Sequence, residues 1–521
     1  MLLIYRTTLT SRRSSRRPRR HGGPSVNQPH PLICLESFDL SSTRIIKVLK
    51  TVLAVSPCEC KNPPTLDTMI TDIVNKVRPL VEKQRDAIFK DLSEITSYNS
   101  VHSTPECAED HAAACAWVVD ALTKVGLEVT EYPYEGGATT VLGTKEAVGD
   151  APTVLLYSHY DVVPAGNPAD WTSDAFTLTE RNGRWYARGA ADCKGNLVMH
   201  LAVLRAVQEL GGTDLGIKFL VEGSEEQGGA ELSSLIHSQP ELFKSDVILI
   251  ADSGNQAVGV PTLTTTLRGG AQITVTLKTL NAAVHSGSFG GAAPDAAAAL
   301  IRLLDSLKDE YGRTVIDGVD CSAKWPGGNY DRESFRSDST MLDGTHIMGT
   351  EDDDPADMVW ARPAISITGF TSTPVEKAVN AVPPVASARL NLRVPPGLKA
   401  TEVAEALIAH LKAHVPWGAH IEASYDDANE PFEAITDGPA MSLFNACLAN
   451  AYGKDDTVHI GSGGSIPLCS ELLGIMPHAE LALFGVEEPQ STIHSPNESV
   501  DPNEIRDIAV AEASFLLTYG K

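Results

Sequence analysis

Apolar residues recur at helical spacing through 68–96, TMITDIVNKVRPLVEKQRDAIFKDLSEIT, and stop at the polar stretch 96–100. This pattern predicts one long opening helix, with a second over 109–125. Short β-branched runs follow at 153–157, 217–221, 247–250 and 481–484, and a helical pattern over 196–210 ends at Gly211-Gly212. Buried strands alternating with helices predict an α/β domain with a mostly parallel sheet.

After Arg268-Gly269-Gly270 the texture changes. The predicted order becomes strand (271–278), helix (294–307), strand (364–370), strand (386–394), helix (401–414) and strand (420–425), the βαββαβ order of a ferredoxin-like α+β unit. The α/β pattern then resumes near Pro431. Four segments are therefore expected: a basic extension over 1–66, the first part of a catalytic domain over 67–267, an inserted unit over 268–430, and the second part of the catalytic domain over 431–521. The Gly/Asp-rich stretch 312–356 lacks periodicity and is read as a surface excursion of the inserted unit.

Charge narrows the function. With 67 acidic against 42 basic side chains the net charge is −25, which repels phosphate backbones and argues against nucleic acid as a partner. No run reaches the roughly twenty apolar residues needed to span a bilayer. Nine scattered cysteines, an odd number, fit reduced thiols in a cytoplasm. The first twenty residues carry seven arginines and no acid, so 1–66 reads as disordered: a start misassigned upstream of Met69, a transit peptide, or a basic arm.

The chemistry lies at the ends of the predicted strands. Ser158-His159-Tyr160-Asp161 follows the first run, Glu222-Gly-Ser-Glu225-Glu226-Gln-Gly-Gly229 the second, and Ala251-Asp252-Ser-Gly254 the third. Asp192 precedes a helix and His494 follows the last strand. Open α/β sheets bind ligands at this edge. Two imidazoles (His159, His494) and three carboxylates (Asp192, Glu226, Asp252) offer nitrogen and oxygen ligands without thiolate. That set suits zinc, with manganese or cobalt as alternatives. Three carboxylates and one hydroxide neutralise a divalent pair, favouring two ions with Asp192 between them. Asp161, two residues beyond His159, is placed to fix its tautomer.

The motifs SHYDVVP (158–164), RGAADCKG (188–195), EGSEEQGG (222–229), ADSGN (251–255), AVHSG (283–287) and GSGGSIP (461–467) resemble, in order, those of a dinuclear zinc metallopeptidase family. That family includes aminoacylase, succinyl-diaminopimelate desuccinylase, glutamate carboxypeptidase and the carnosine and cytosolic nonspecific dipeptidases. The resemblance covers residue 69 to the end and is nearest the dipeptidase branch. It implies the family's zinc-peptidase catalytic domain with an inserted lid and dimerisation domain. It gives His159 and Asp252 to one ion, Glu226 and His494 to the other, and Asp192 to both. Glu225 becomes the general base, taking a proton from the metal-bridging water and passing it to the leaving amine. His285 is implied to reach the partner's active site in a homodimer and steady the oxyanion. Arg393, Asn380, Gly464 and Ser465 are implied to bind the substrate, with Arg389 a rival for Arg393.

The function expected is a cytoplasmic metallodipeptidase acting on dipeptides or short peptides with a free C-terminal carboxylate. The alternatives are an N-acyl amino acid amidohydrolase of the same family and an inactive scaffold member. If 222–229 is extended, Glu225 and Glu226 point to opposite sides, one toward the water and one toward metal.

Overall fold

The structure, a computed structural model, describes residues 65–464 and 466–521. The readings for residues 1–64 and for Ser465 lie outside the described residues.

A nine-stranded sheet organises the catalytic part. Its order is Glu128–Pro133, Thr139–Lys145, Gly216–Glu222, Thr153–His159, Val247–Ala251, Glu480–Phe484, Thr262–Leu267 and Phe432–Glu433, with Val458–Ser462 also paired to Thr262–Leu267. The four strands Gly216–Glu222, Thr153–His159, Val247–Ala251 and Glu480–Phe484 are mutually parallel. Both margins add antiparallel strands. The parallel centre is apolar on both faces because helices cover both. Val154 and Leu156 join the core beneath the helices Ala108–Lys124, Lys194–Glu209 and Pro502–Thr518, whereas Leu155 and Tyr157 face Ala230–Ser238 and Pro467–Ile475.

The opening helix is two. Leu66–Glu82, capped by Thr65, buries Ile70, Val74, Val77 and Val81. Arg85–Thr96 follows after a turn at Lys83-Gln84, where Gln84 is buried and its side-chain amide donates to the carbonyl of Ala202 at 3.2 Å. A tertiary hydrogen bond thus interrupts a periodicity that runs through both helices.

Between Leu267 and Phe432 the chain builds a second sheet. Numbered in chain order, its strands Gly269–Lys278, Ala364–Thr371, Val385–Val394 and His420–Asn429 lie in the spatial order 4-1-3-2, all neighbours antiparallel. That is the ferredoxin-like arrangement. Helices Ala296–Asp305 and Ala400–Ala413 cover one face and close a separate core around Ile273, Leu300, Leu390 and Leu407.

The stretch 312–356 is more than a surface excursion. Just beyond it, Trp360 packs on the strand Val458–Ser462, so closely that a Cβ at Gly461 would lie 2.7 Å from the Trp360 ring. Trp325 and Tyr330 flank Trp360, and Arg362 pairs with Asp353 at 2.8 Å. Among the described residues no helix is long and apolar enough to cross a membrane.

Candidate metal centre

The edge where the parallel strands end gathers the predicted ligands. His159 closes its strand, Asp252 follows Val247–Ala251, and Asp192 precedes the helix Lys194–Glu209. His494 sits in a left-handed backbone conformation (φ 60°) in the loop after Glu480–Phe484. The Asp192–Cys193 peptide bond is cis.

These side chains form two halves joined by one carboxylate. His159 Nε2 lies 3.0 Å from Asp192 Oδ1 and 3.3 Å from Asp252 Oδ1. His494 Nε2 lies 3.1 Å from Asp192 Oδ2 and 3.1 Å from Glu226 Oε2. Glu225 Oε2 stands back, 4.0 Å from His159 Nε2.

Donor atoms of a tetrahedral zinc site lie roughly 3.4 Å apart, given metal–ligand bonds near 2.0–2.1 Å, so the spacing matches a metal-ligand shell drawn slightly inward. Glu226 Oε1 is buried without a hydrogen-bond partner, and the set holds four carboxylates to two imidazoles. The residues therefore fit divalent cations. Cys193 Sγ also lies within the cluster, but its thiol donates to the carbonyl of Ala251 at 3.1 Å and burial drives its pKa well up.

Electrostatics point the same way. Burial pushes the Glu225 carboxyl up to about 9, with Asp252 adding to the effect. Hydrogen bonds that His494 donates to the Asp192 and Glu226 carboxylates hold its pKa up at about 10. Burial opposes charging of His159, but the carboxylates of Asp252, Asp161 and Asp192 together drive its pKa well above the usual imidazole range. The clustered acids favour positive charge beside them.

Asp161 contacts more than His159. Its Oδ1 lies 3.2 Å from His159 Nδ1, directing Nε2 toward Asp192 and Asp252. The same carboxylate accepts the backbone N–H of Glu225 at 3.2 Å and of Glu226 at 3.0 Å. The segment carrying these acids is consequently not extended: Glu225–Gln227 is a single 3₁₀ turn. Gly228 and Gly229 complete the turn at positive φ, conformations that favour glycine.

Glu498 was passed over in the sequence, although it lies four residues beyond His494. It accepts hydrogen bonds from Arg188 Nη1 at 2.6 Å, the N–H of Gly189 at 2.9 Å, and those of Ala191 and Asp192 at 3.0 Å each. It thereby holds the loop that presents Asp192. Glu498→Ala is expected to cost about 3–5 kcal/mol in urea unfolding, because Arg188 is left buried and unpaired, and to weaken metal binding measured in parallel. Glu487 is a second such residue: it is half-buried and lies within ligand distance of Asp192 and Asp252.

The residues that the resemblance assigns to substrate and oxyanion lie on other segments of the chain. Exposed His285 pairs in register with Ala381, and Ser286 N–H donates to the carbonyl of Asn380 at 2.9 Å, so His285 and Asn380 adjoin in the second sheet's unit. Arg389 pairs with Asp426 at 2.8 Å, and Arg393 is half-buried on the same strand. Gly464 N–H donates to Ser462 Oγ at 3.2 Å. His200 is buried between Glu512 at 2.8 Å and the carbonyl of Tyr157 at 3.2 Å.

The peptidase family M20/M25/M40 matches residues 155–518. The chain belongs to this family. As a member of the M20/M25/M40 family it is a hydrolase of peptide bonds, in agreement with the resemblance carried by its six motifs. The cysteinylglycine-S-conjugate dipeptidase of Corynebacterium striatum is 58% identical over 438 residues, covering 84% of this chain and 96% of the relative. Human carnosine dipeptidase 1 shares the fold with a TM-score of 0.69 at 24% identity, covering 87% of this chain and 99% of that one. A metallo-carboxypeptidase of Sulfolobus solfataricus gives 0.70 at 22% identity, covering 83% and 99%.

Proposed function

We propose that this M20/M25/M40 peptidase is a dinuclear metallodipeptidase cleaving dipeptides with a free C-terminal carboxylate. The observation that carries the metal arrangement is Asp192 between the two halves, one oxygen toward each imidazole. The near-complete match to a dipeptidase at 58% identity supports the substrate class. His159, Asp192 and Asp252 would hold one divalent ion, and Glu226, His494 and Asp192 the other; the imidazole and carboxylate donors suit zinc, manganese or cobalt, with zinc favoured for hydrolysis. Such ions, when bound, polarise a scissile carbonyl and lower the pKa of water.

Glu225 accepts the proton of the attacking water as the new C–O bond forms, then delivers it to the amine nitrogen as the C–N bond breaks. It can do so only when ionised, and positive charge beside it offsets the burial that lifts its pKa to about 9. Asp161 holds both His159 and the Glu225 turn in register. Arg393, Asn380, Gly464 and Ser465 receive the substrate. Residues 268–430 act as lid and dimer contact, through which the partner subunit's His285 reaches the oxyanion. The enzyme works in the cytoplasm.

A panel of dipeptides, cysteinylglycine S-conjugates and N-acyl amino acids, offered to the zinc-loaded protein with liberated amine as readout, tests the reading. Turnover of dipeptides and S-conjugates is expected. Turnover of N-acyl amino acids alone would make the protein an amidohydrolase, and turnover of none an inactive member.

A further inference from the structure

Arg268 stands between the two sheets, as the one residue separating Thr262–Leu267 from Gly269–Lys278. Its backbone N–H donates to the carbonyl of Ser462 at 3.1 Å, tying it to the glycine-rich loop. Its Nη2 lies 2.8 Å from where a Cβ on Gly463 would stand, so the guanidinium occupies the space that glycine leaves open. Nε and Nη1 are buried with no hydrogen-bond partner.

A second guanidinium adjoins it. Arg393 pairs in register with Gly270, two residues on from Arg268, and a Cβ on Gly270 would stand 3.4 Å from the Arg393 Cα. Burial, and then the charge of Arg393, push the Arg268 pKa down to about 10. Burial alone lowers that of Arg393. Arg389, four residues earlier on the same strand, has its own acid in Asp426, yet among the described residues no acid raises the pKa of Arg268 or Arg393. Two adjacent, desolvated cations without a counter-ion are unfavourable unless an anion completes them. Ile466, which follows the glycine-rich loop, and Pro467 and Leu468, which open the next helix, line one cavity with Glu225.

We propose that Arg268 is a specificity-determining residue that binds the substrate's free carboxylate together with Arg393. Planar guanidinium groups suit a carboxylate because they donate paired N–H bonds in its plane. With Arg268 at the junction between the sheets and Arg393 beside it on the second sheet, both groups can donate to one carboxylate. The inference rests on the reading of the substrate as bearing a free C-terminal carboxylate.

The test uses the full-length, zinc-loaded protein and matched substrates: cysteinylglycine against its C-terminal amide, and N-acetylmethionine against its amide. The wild type is expected to prefer the acids. In Arg268→Gln, KM for the acid should rise about 10- to 100-fold with kcat, metal content and melting temperature retained. The amide should lose far less, so the preference collapses. Arg268→Lys, which keeps the charge, should recover part of it. Unchanged acid preference in Arg268→Gln, an equal loss on acid and amide, or a wild type indifferent to the carboxylate each overturns the inference. Preference for N-acetylmethionine with no cleavage of cysteinylglycine would instead sink the dipeptidase reading and leave the role of Arg268 standing.

Discussion

Replacing Glu225 by glutamine is expected to lower kcat by about 10²- to 10⁴-fold, the usual worth of general acid–base catalysis, while two metal ions per chain remain bound. Glu225 Oε2 keeps 4.0 Å from the nearest imidazole nitrogen, whereas Glu226 Oε2 lies 3.1 Å from His494 Nε2. The amide keeps the size of the side chain and leaves the Asp161-held backbone untouched, so only proton transfer suffers. Glu226→Gln weakens one ligand and should lose metal in the same elemental analysis. If both variants lost equal metal, the division between base and ligand would fail.

Metal removal should have the second large effect. Asp192, Glu225, Glu226 and Asp252 converge on one edge of the sheet, and one oxygen of Glu226 is buried without a partner. Divalent ions that bind the folded chain alone should stabilise it by about 3–4 kcal/mol when free metal stands about 100- to 1,000-fold above Kd. Chelation should reverse this and abolish turnover. In Asp192→Asn the bridging charge between His159 and His494 is lost, so the metal-dependent rise in melting temperature should disappear along with activity. A wild-type melt indifferent to both chelator and zinc would count against a metal centre here.

The legible part of the site was the part carried by local sequence. A β-branched run followed at once by His159, by Glu225-Glu226 or by Asp252 places a polar group at a strand end whatever the rest of the chain does. Strands buried on both faces announce themselves as unbroken apolar runs. The marginal strands Thr139–Lys145 and Thr262–Leu267 escaped because threonines interrupt them, and Gln84 divided a helix through a contact with Ala202 that no local pattern encodes.

By itself, then, the sequence determined the order of elements, the ferredoxin-like insertion, the peptidase family and the residue types available at the sheet edge. These follow from short-range rules: side-chain periodicity, turn chemistry and motif order. Only the tertiary structure decided that Asp192 faces both imidazoles, that one Asp161 carboxylate holds His159 and two backbone amides, and that Glu498, 310 positions from Arg188, secures the Asp192 loop. It alone brought Arg268 beside Arg393. The reason is physical: desolvation and hydrogen bonding act between groups near in space, and here those groups lie tens to hundreds of residues apart.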